Sequence, residues 1–141
     1  MASRRRPSSL ADLPTELAIR IASHVAATSV QPMEDLHALW VICHFMHHVR
    51  RDPKVGRLIS VERFNKMYRD DHDGFMTLLS RLAQVGNVEA CFIIEMIAVL
   101  HDPVIRPLPF IEKNLERATR GGHKVAAYFA VVLLYMANGG V

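Results

Sequence analysis

The chain has 141 residues, half of them hydrophobic and 22% charged, with a formal charge of +3 and a pI of about 9.1. That balance suits one folded domain or two small modules, and excludes a disordered chain. Three of the positive charges are Arg4, Arg5 and Arg6; the remainder is near neutral, which argues against a nucleic-acid footprint spread over the folded part.

Residues 1–9 are basic and Pro/Ser-bearing and read as a disordered tail. Pro7-Ser-Ser and Asp12 stand where a secretory signal would need an apolar run. The first helix is expected to start near Pro14, since a proline in the first turn lacks only an N–H that would be unpaired there, and Glu16 suits the positive end of the helix dipole. Leu13, Leu17, Ile21 and Val25 form one apolar stripe. Ala18, Ala22 and Ala26 form a thin second stripe that another helix could approach closely. Thr28-Ser-Val-Gln-Pro32 ends the helix.

A second helical stretch runs from about Met33 to Arg51, carried by Leu36, Leu39, Ile42, Cys43, Met46 and Val49. Glu34 and Asp35 at its start and Arg50 and Arg51 at its end agree with the dipole. Asp52-Pro53 closes it. Residues 53–74 read as a connecting segment with a short amphipathic stretch (Val55, Leu58, Ile59, Val61, Phe64) before the polar Arg69-Asp-Asp-His-Asp-Gly74.

From 75 to 141 the pattern predicts helices at about 75–85, 88–101, 109–120 and 123–137, broken by Gly86-Asn87, by the prolines from Pro103 to Pro109, and by Gly121-Gly122. Gly86-Asn87-Val-Glu-Ala90 matches Gly122-His123-Lys-Val-Ala126 at an offset of 36 residues, and the same offset pairs Leu79 with Leu115, Leu82 with Ala118, Phe92 with Tyr128 and Ile97 with Leu133. A mid-thirties period with two helices per unit is the mark of an α-solenoid. The last helix is apolar nearly all round, which predicts either a central core helix or one whose outer face awaits a cover. Its apolar run, Val125 to Ala137, is too short to cross a membrane.

The residues of 10–52 carry a resemblance. Leu13-Pro14-Thr15-Glu16-Leu17, then Ile21 and Val25, Asp35-Leu36 with Leu39, and Ile42-Cys43-His44-Phe45-Met46 with Val49 together resemble an F-box in order and spacing. Met46 stands where that family has an aromatic residue, with Phe45 one place earlier. The resemblance implies a trihelical F-box-like module that docks on a SKP1-like adaptor and, through it, on a cullin, with Leu13, Pro14, Leu17, Ile21, Leu36 and Leu39 in the adaptor interface. Residues 75–141 are similar to degenerate Sel1-like, TPR-like α-hairpin repeats, with Ala90 and Ala126 at the small position and Gly86 and Gly122 at the closing glycine. Glu95 and Val131 replace a further glycine of the repeat. The combination resembles a group of plant F-box proteins and implies an all-α substrate receptor of a ubiquitin ligase, presenting an unidentified target protein. Excess apolar surface on so thin a module agrees with a docking role.

No catalytic constellation competes with that reading. Cys43, His44, His47 and His48 crowd one helix, but no second ligand pair accompanies them, so they read as a solvated histidine face beside a buried cysteine. Asp71-His-Asp73-Gly74 falls short of a calcium loop, because Ser80 occupies the place of the bidentate glutamate; Asp73 is expected to cap a helix starting at Phe75. The acids are dispersed, and no cofactor motif or enzyme signature is present. Cys43 and Cys91 read as buried thiols of a reducing compartment, which fits the cytoplasm or nucleus. Two rival expectations remain: a non-ligase helical scaffold, and a helix-turn-helix nucleic-acid binder using Arg50, Arg51, Lys54 and Arg57.

Overall fold

The computed structural model describes residues 12–42, 44–101 and 112–139, without the side chains of residues 42, 44, 45, 48 and 112. The 1–9 tail, Cys43, the break at 102–109 and the start of the helix expected from 109 lie outside the described residues, as do the side chains of Phe45, His44 and His48. The described residues are all-helical, in two compact units, Met1–Arg63 and Phe64–Val141.

Ala18, Ala22 and Ala26 set the architecture of the first unit. They lie on α1 (Thr15–Thr28) and are fully buried. Small side chains let neighbouring backbones come close, and α2 (Pro32–Ile42), α3 (His44–Val49) and α4 (Pro53–Leu58) all pack on or beside α1. The row read as a thin second stripe is therefore the one that faces the core. The leucine-bearing row, which sequence periodicity marks as the main apolar face, is turned partly outward. Leu36, Met46, Val49, Val55, Ile59 and Val61 supply the bulk that the alanines lack.

Local chemistry fixes the ends. Pro14 stands one position outside α1, and its carbonyl accepts the Leu17 and Ala18 amides at 3.0 and 3.2 Å. After α1, the Ser29 hydroxyl donates to the Asp35 carboxylate and accepts the Gln31 amide at 2.9 Å. That closes a tight turn and lets Pro32 open α2, where its missing N–H costs nothing. Asp52 caps α4, accepting the Lys54 amide at 2.8 Å. With Val55 and Ile59 buried, residues 53–59 are an integral part of the first unit.

In the second unit, α5 (Asn65–Asp70), α6 (His72–Gln84), α7 (Val88–His101), α8 (Glu112–Arg120) and α9 (Lys124–Ala137) pack chiefly each on its neighbour in sequence. Helix α6 starts earlier than expected. Its cap is Asp71, whose backbone is non-helical and whose carboxylate accepts the Gly74 amide at 3.0 Å; Asp73 lies inside the first turn, where its charge still favours the dipole.

The α6–α7 and α8–α9 junctions are built alike. Gly86 and Gly122 have φ of +88° and +85°, a region open to glycine and strained for other residues. Their amides donate to Ala83 and Thr119, and the next amides, of Asn87 and His123, donate back to Leu82 and Ala118 at 2.9 and 3.0 Å. This is the Schellman closure. The Asn87 and His123 side chains then cap the following helices, Asn87 Oδ1 accepting the Ala90 amide at 3.0 Å and His123 Nδ1 the Ala126 amide at 3.1 Å. His123 also lies against Phe92, ring centroids 4.6 Å apart. His123→Ala is expected to cost about 1 kcal/mol of cap energy plus that ring contact, whereas His123→Asn, which recreates the Asn87 cap, should lose only the ring contact; urea melts of the two variants check the order.

Two expectations for this unit resolve differently. Cys91 is fully buried, its Sγ 3.6 Å from the Ala83 carbonyl. Desolvation pushes its pKa up, against a smaller opposing pull from Arg117. Helix α9, by contrast, is no central core helix. Ala126 is its buried residue, while Val125, Tyr128, Val131, Leu134, Tyr135 and Met136 are exposed. Helix α8 packs against α9, whose Phe129 meets Phe92 of α7 with ring centroids 6.2 Å apart.

The thiol gives a direct check. A fold that raises a thiol's pKa contributes stability that is whole below the unfolded thiol pKa of ~8.5 and is lost as pH rises through the higher folded value. Cys91 should therefore resist alkylation in the native chain by at least ~100-fold relative to urea-unfolded chain, read by peptide mass spectrometry. Equal rates would place it at the surface.

Candidate docking surfaces

Helix α1 offers two different flanks. Successive residues turn by 100°, so Leu17 and Ile21 share a flank beside the buried alanines, with Val25 further along it. Leu17 and Ile21 are 42% and 39% exposed, large for aliphatic side chains adjoining a core. Leu13 is half-buried and Pro14 exposed at the same end. These four of the six expected interface residues thus lie in the first half of α1 and the two positions before it.

The remaining two sit differently. Leu39 is half-buried on α2. Leu36 is fully buried and is withdrawn from the contact set: its side chain fills space that the alanine row leaves open, and it can act on a surface only by supporting α2. Met46, at the position where an aromatic residue was expected, is likewise a core residue at 2% exposure.

The opposite flank of α1 forms, with α4, an open groove of about 720 Å³. Ile19, Ala27 and Leu58 give it an apolar floor, and Arg20, Lys54 and Arg57 border it, with Glu16 at one end. Sequence reading found Lys54 and Arg57 but not their neighbour Arg20, because the two helices meet only in three dimensions. Arg50, grouped with them in the nucleic-acid expectation, lies 5.4 Å over the Trp40 ring and so packs within its own unit. That contact had no signal in the sequence beyond a tryptophan ten residues before an arginine.

Chemistry is sparse elsewhere. Among the described residues no group of three His, Cys, Asp or Glu side chains could hold a metal ion, and no helix is long and apolar enough to cross a membrane. The geometry defines an all-α protein of two helical units with exposed apolar helix faces. No protein-family profile, curated protein or solved structure matches the chain.

Proposed function

We propose that the chain is a substrate-receptor subunit of a SKP1–cullin–F-box ubiquitin ligase, docking a SKP1-like adaptor through the N-terminal end of α1 and presenting a target protein on the helices of Phe64–Val141. The observation that carries the reading is the inversion on α1: alanines face in, and Leu17 and Ile21 face out, within the Leu13-Pro14-Thr15-Glu16-Leu17 run that resembles an F-box. Aliphatic side chains held at the surface by a row of small core residues are apolar area available to a partner helix layer. In this reading the chain performs no bond chemistry. It raises the concentration of a target near a transfer enzyme held elsewhere in the assembly, and its partners place it in the cytoplasm or nucleus.

The second unit supports the presenting role through helices that pack chiefly each on its neighbour in sequence and through two junctions built alike. The test is co-purification: the full chain, mixed with a recombinant SKP1-like adaptor, should elute as one complex on size exclusion. Separate elution of the two wild-type proteins at micromolar concentration would sink the proposal.

A further inference from the structure

The groove between α1 and α4 lies on the flank of α1 away from Leu17 and Ile21, so adaptor docking leaves it unused. Its α1 wall runs from Glu16 to Ala27 at spacings of three and four residues. It therefore follows one face of the helix for three turns, about 16 Å. On the floor, Leu58 is 51% exposed, a large aliphatic side chain open to solvent. The border sets the cations Arg20, Lys54 and Arg57 against the single carboxylate of Glu16. Arg57 already has an interaction within the fold, so the charge on offer to a ligand is chiefly that of Arg20 and Lys54.

We propose that this groove binds an acidic amphipathic helix of a partner protein. A three-turn segment would lay apolar side chains at i, i+3 or i+4 and i+7 on Ile19, Ala27 and Leu58, and set Asp or Glu side chains against Arg20 and Lys54. Charge and shape together select that occupant. The chain's own N-terminal tail carries Arg4, Arg5 and Arg6 and is repelled. A second copy has no suitable helix among the described residues. Only α2 and α7 hold more acids than bases; both acids of α2 stand in its first turn, and Glu95 of α7 is buried. A nucleic acid would leave the aliphatic floor idle, and the lining has no Phe, Tyr or Trp to stack bases and no Asn or Gln to read them. A bilayer is entered by an apolar helix face that stands proud of the surface, whereas this floor is recessed between two helices.

The site lies on a different flank of α1 from the adaptor surface. One chain can therefore hold an acidic helix and an adaptor together, so its first unit gathers two partners while the second unit stays free for a target. Recognition by charge also makes the contact salt-dependent, unlike the aliphatic contact through Leu17 and Ile21.

Fluorescence anisotropy of the full chain, with no adaptor present, tests this separately from the co-purification. The probe is a labelled peptide of about 14 residues with leucine at helical spacing, glutamate on the flanking positions and alanine elsewhere. It should bind in the micromolar range and weaken at least ~10-fold between about 0.05 and 0.5 M salt. Its counterpart with lysine for every glutamate should bind at least ~10-fold more weakly. The double variant Arg20→Glu, Lys54→Glu changes two exposed positions, and it should reverse that preference, a result that an unfolded chain cannot give. No binding of the glutamate peptide to wild type overturns the proposal, as does an equal affinity for the lysine peptide or a double variant that keeps the wild-type preference. Tighter binding of wild type to phosphatidylserine vesicles or to duplex DNA, lost in the same variant, overturns it in favour of that ligand.

Discussion

The double variant Leu17→Asp, Ile21→Asp should lose adaptor binding completely while keeping its fold. Both side chains are substantially exposed, so their removal opens no cavity. Position 17 is the third residue of α1, where a carboxylate meets the positive end of the dipole and is favoured. Roughly three-fifths of each side chain is buried and the two carboxylates stand one turn apart, so the fold is expected to lose about 1–2 kcal/mol and to stay intact, which circular dichroism melting checks. Binding is another matter. Truncating two apolar anchors at an interface costs about 2 kcal/mol or more for each, and placing two carboxylates in a desolvated contact adds to it. Together these predict a loss of at least ~1,000-fold in affinity, read by isothermal titration against the adaptor. A variant that still binds within tenfold of wild type would move the interface away from α1.

The second large effect runs the other way, from a conservative substitution. Ala22→Leu replaces one apolar residue by another, yet it should destabilise the first unit about as much as the two aspartates do. Ala22 is fully buried in the middle of α1, the helix against which α2, α3 and α4 all pack. Extra methyl and methylene groups have no void to enter, and overpacking costs about 1–3 kcal/mol where the backbone must shift. A unit this small has little stability to spare. Its melting transition should fall by about 4–8 °C for each kcal/mol lost, and adaptor binding should fall with it because the α1 surface loses its support. A melt indistinguishable from wild type would show that the alanine row is not the packed face.

The contrast between these variants marks the limit of periodicity as a guide. A 3.6-residue pattern identifies which residues share a face of α1, and both rows are visible in the sequence. Which row turns inward depends on how closely neighbouring helices approach, and that is set by Val55, Ile59, Leu36 and Met46 arriving from elsewhere. For the same reason Leu36 passes for a surface residue in a motif and proves to be core.

Helix ends were far more legible. Gly86, Gly122 and Pro53 act through their own backbone geometry, and the elements break where these residues stand. The cap expected at Asp73 falls instead on Asp71, whose non-helical backbone and bond to the Gly74 amide set the start of α6 two residues earlier. The segment 53–74 reads as a connector in sequence, yet residues 53–59 belong to the first unit through two buried aliphatic side chains and a capping aspartate. The outward face of α9 left both readings open in sequence, because an all-round apolar helix looks the same whether it is enclosed or bare.

The paired junctions carry a consequence for how such a chain can grow. Each joint is closed by a glycine in the left-handed region and reopened by a capping side chain 36 positions from its counterpart. The stretch from Asn87 to Gly122 is therefore a cassette whose two ends are interchangeable. Duplicating it in frame would join a Gly122 closure to an Asn87 cap, a joint the chain already knows how to make. Inside the cassette the counterparts differ, Phe92 answering to Tyr128 and the buried Glu95 to the exposed Val131 across the offset, while the fully buried Ala90 and Ala126 match. Length is thus heritable separately from surface: this chain could extend its helical layer one cassette at a time and rewrite what each added face recognises.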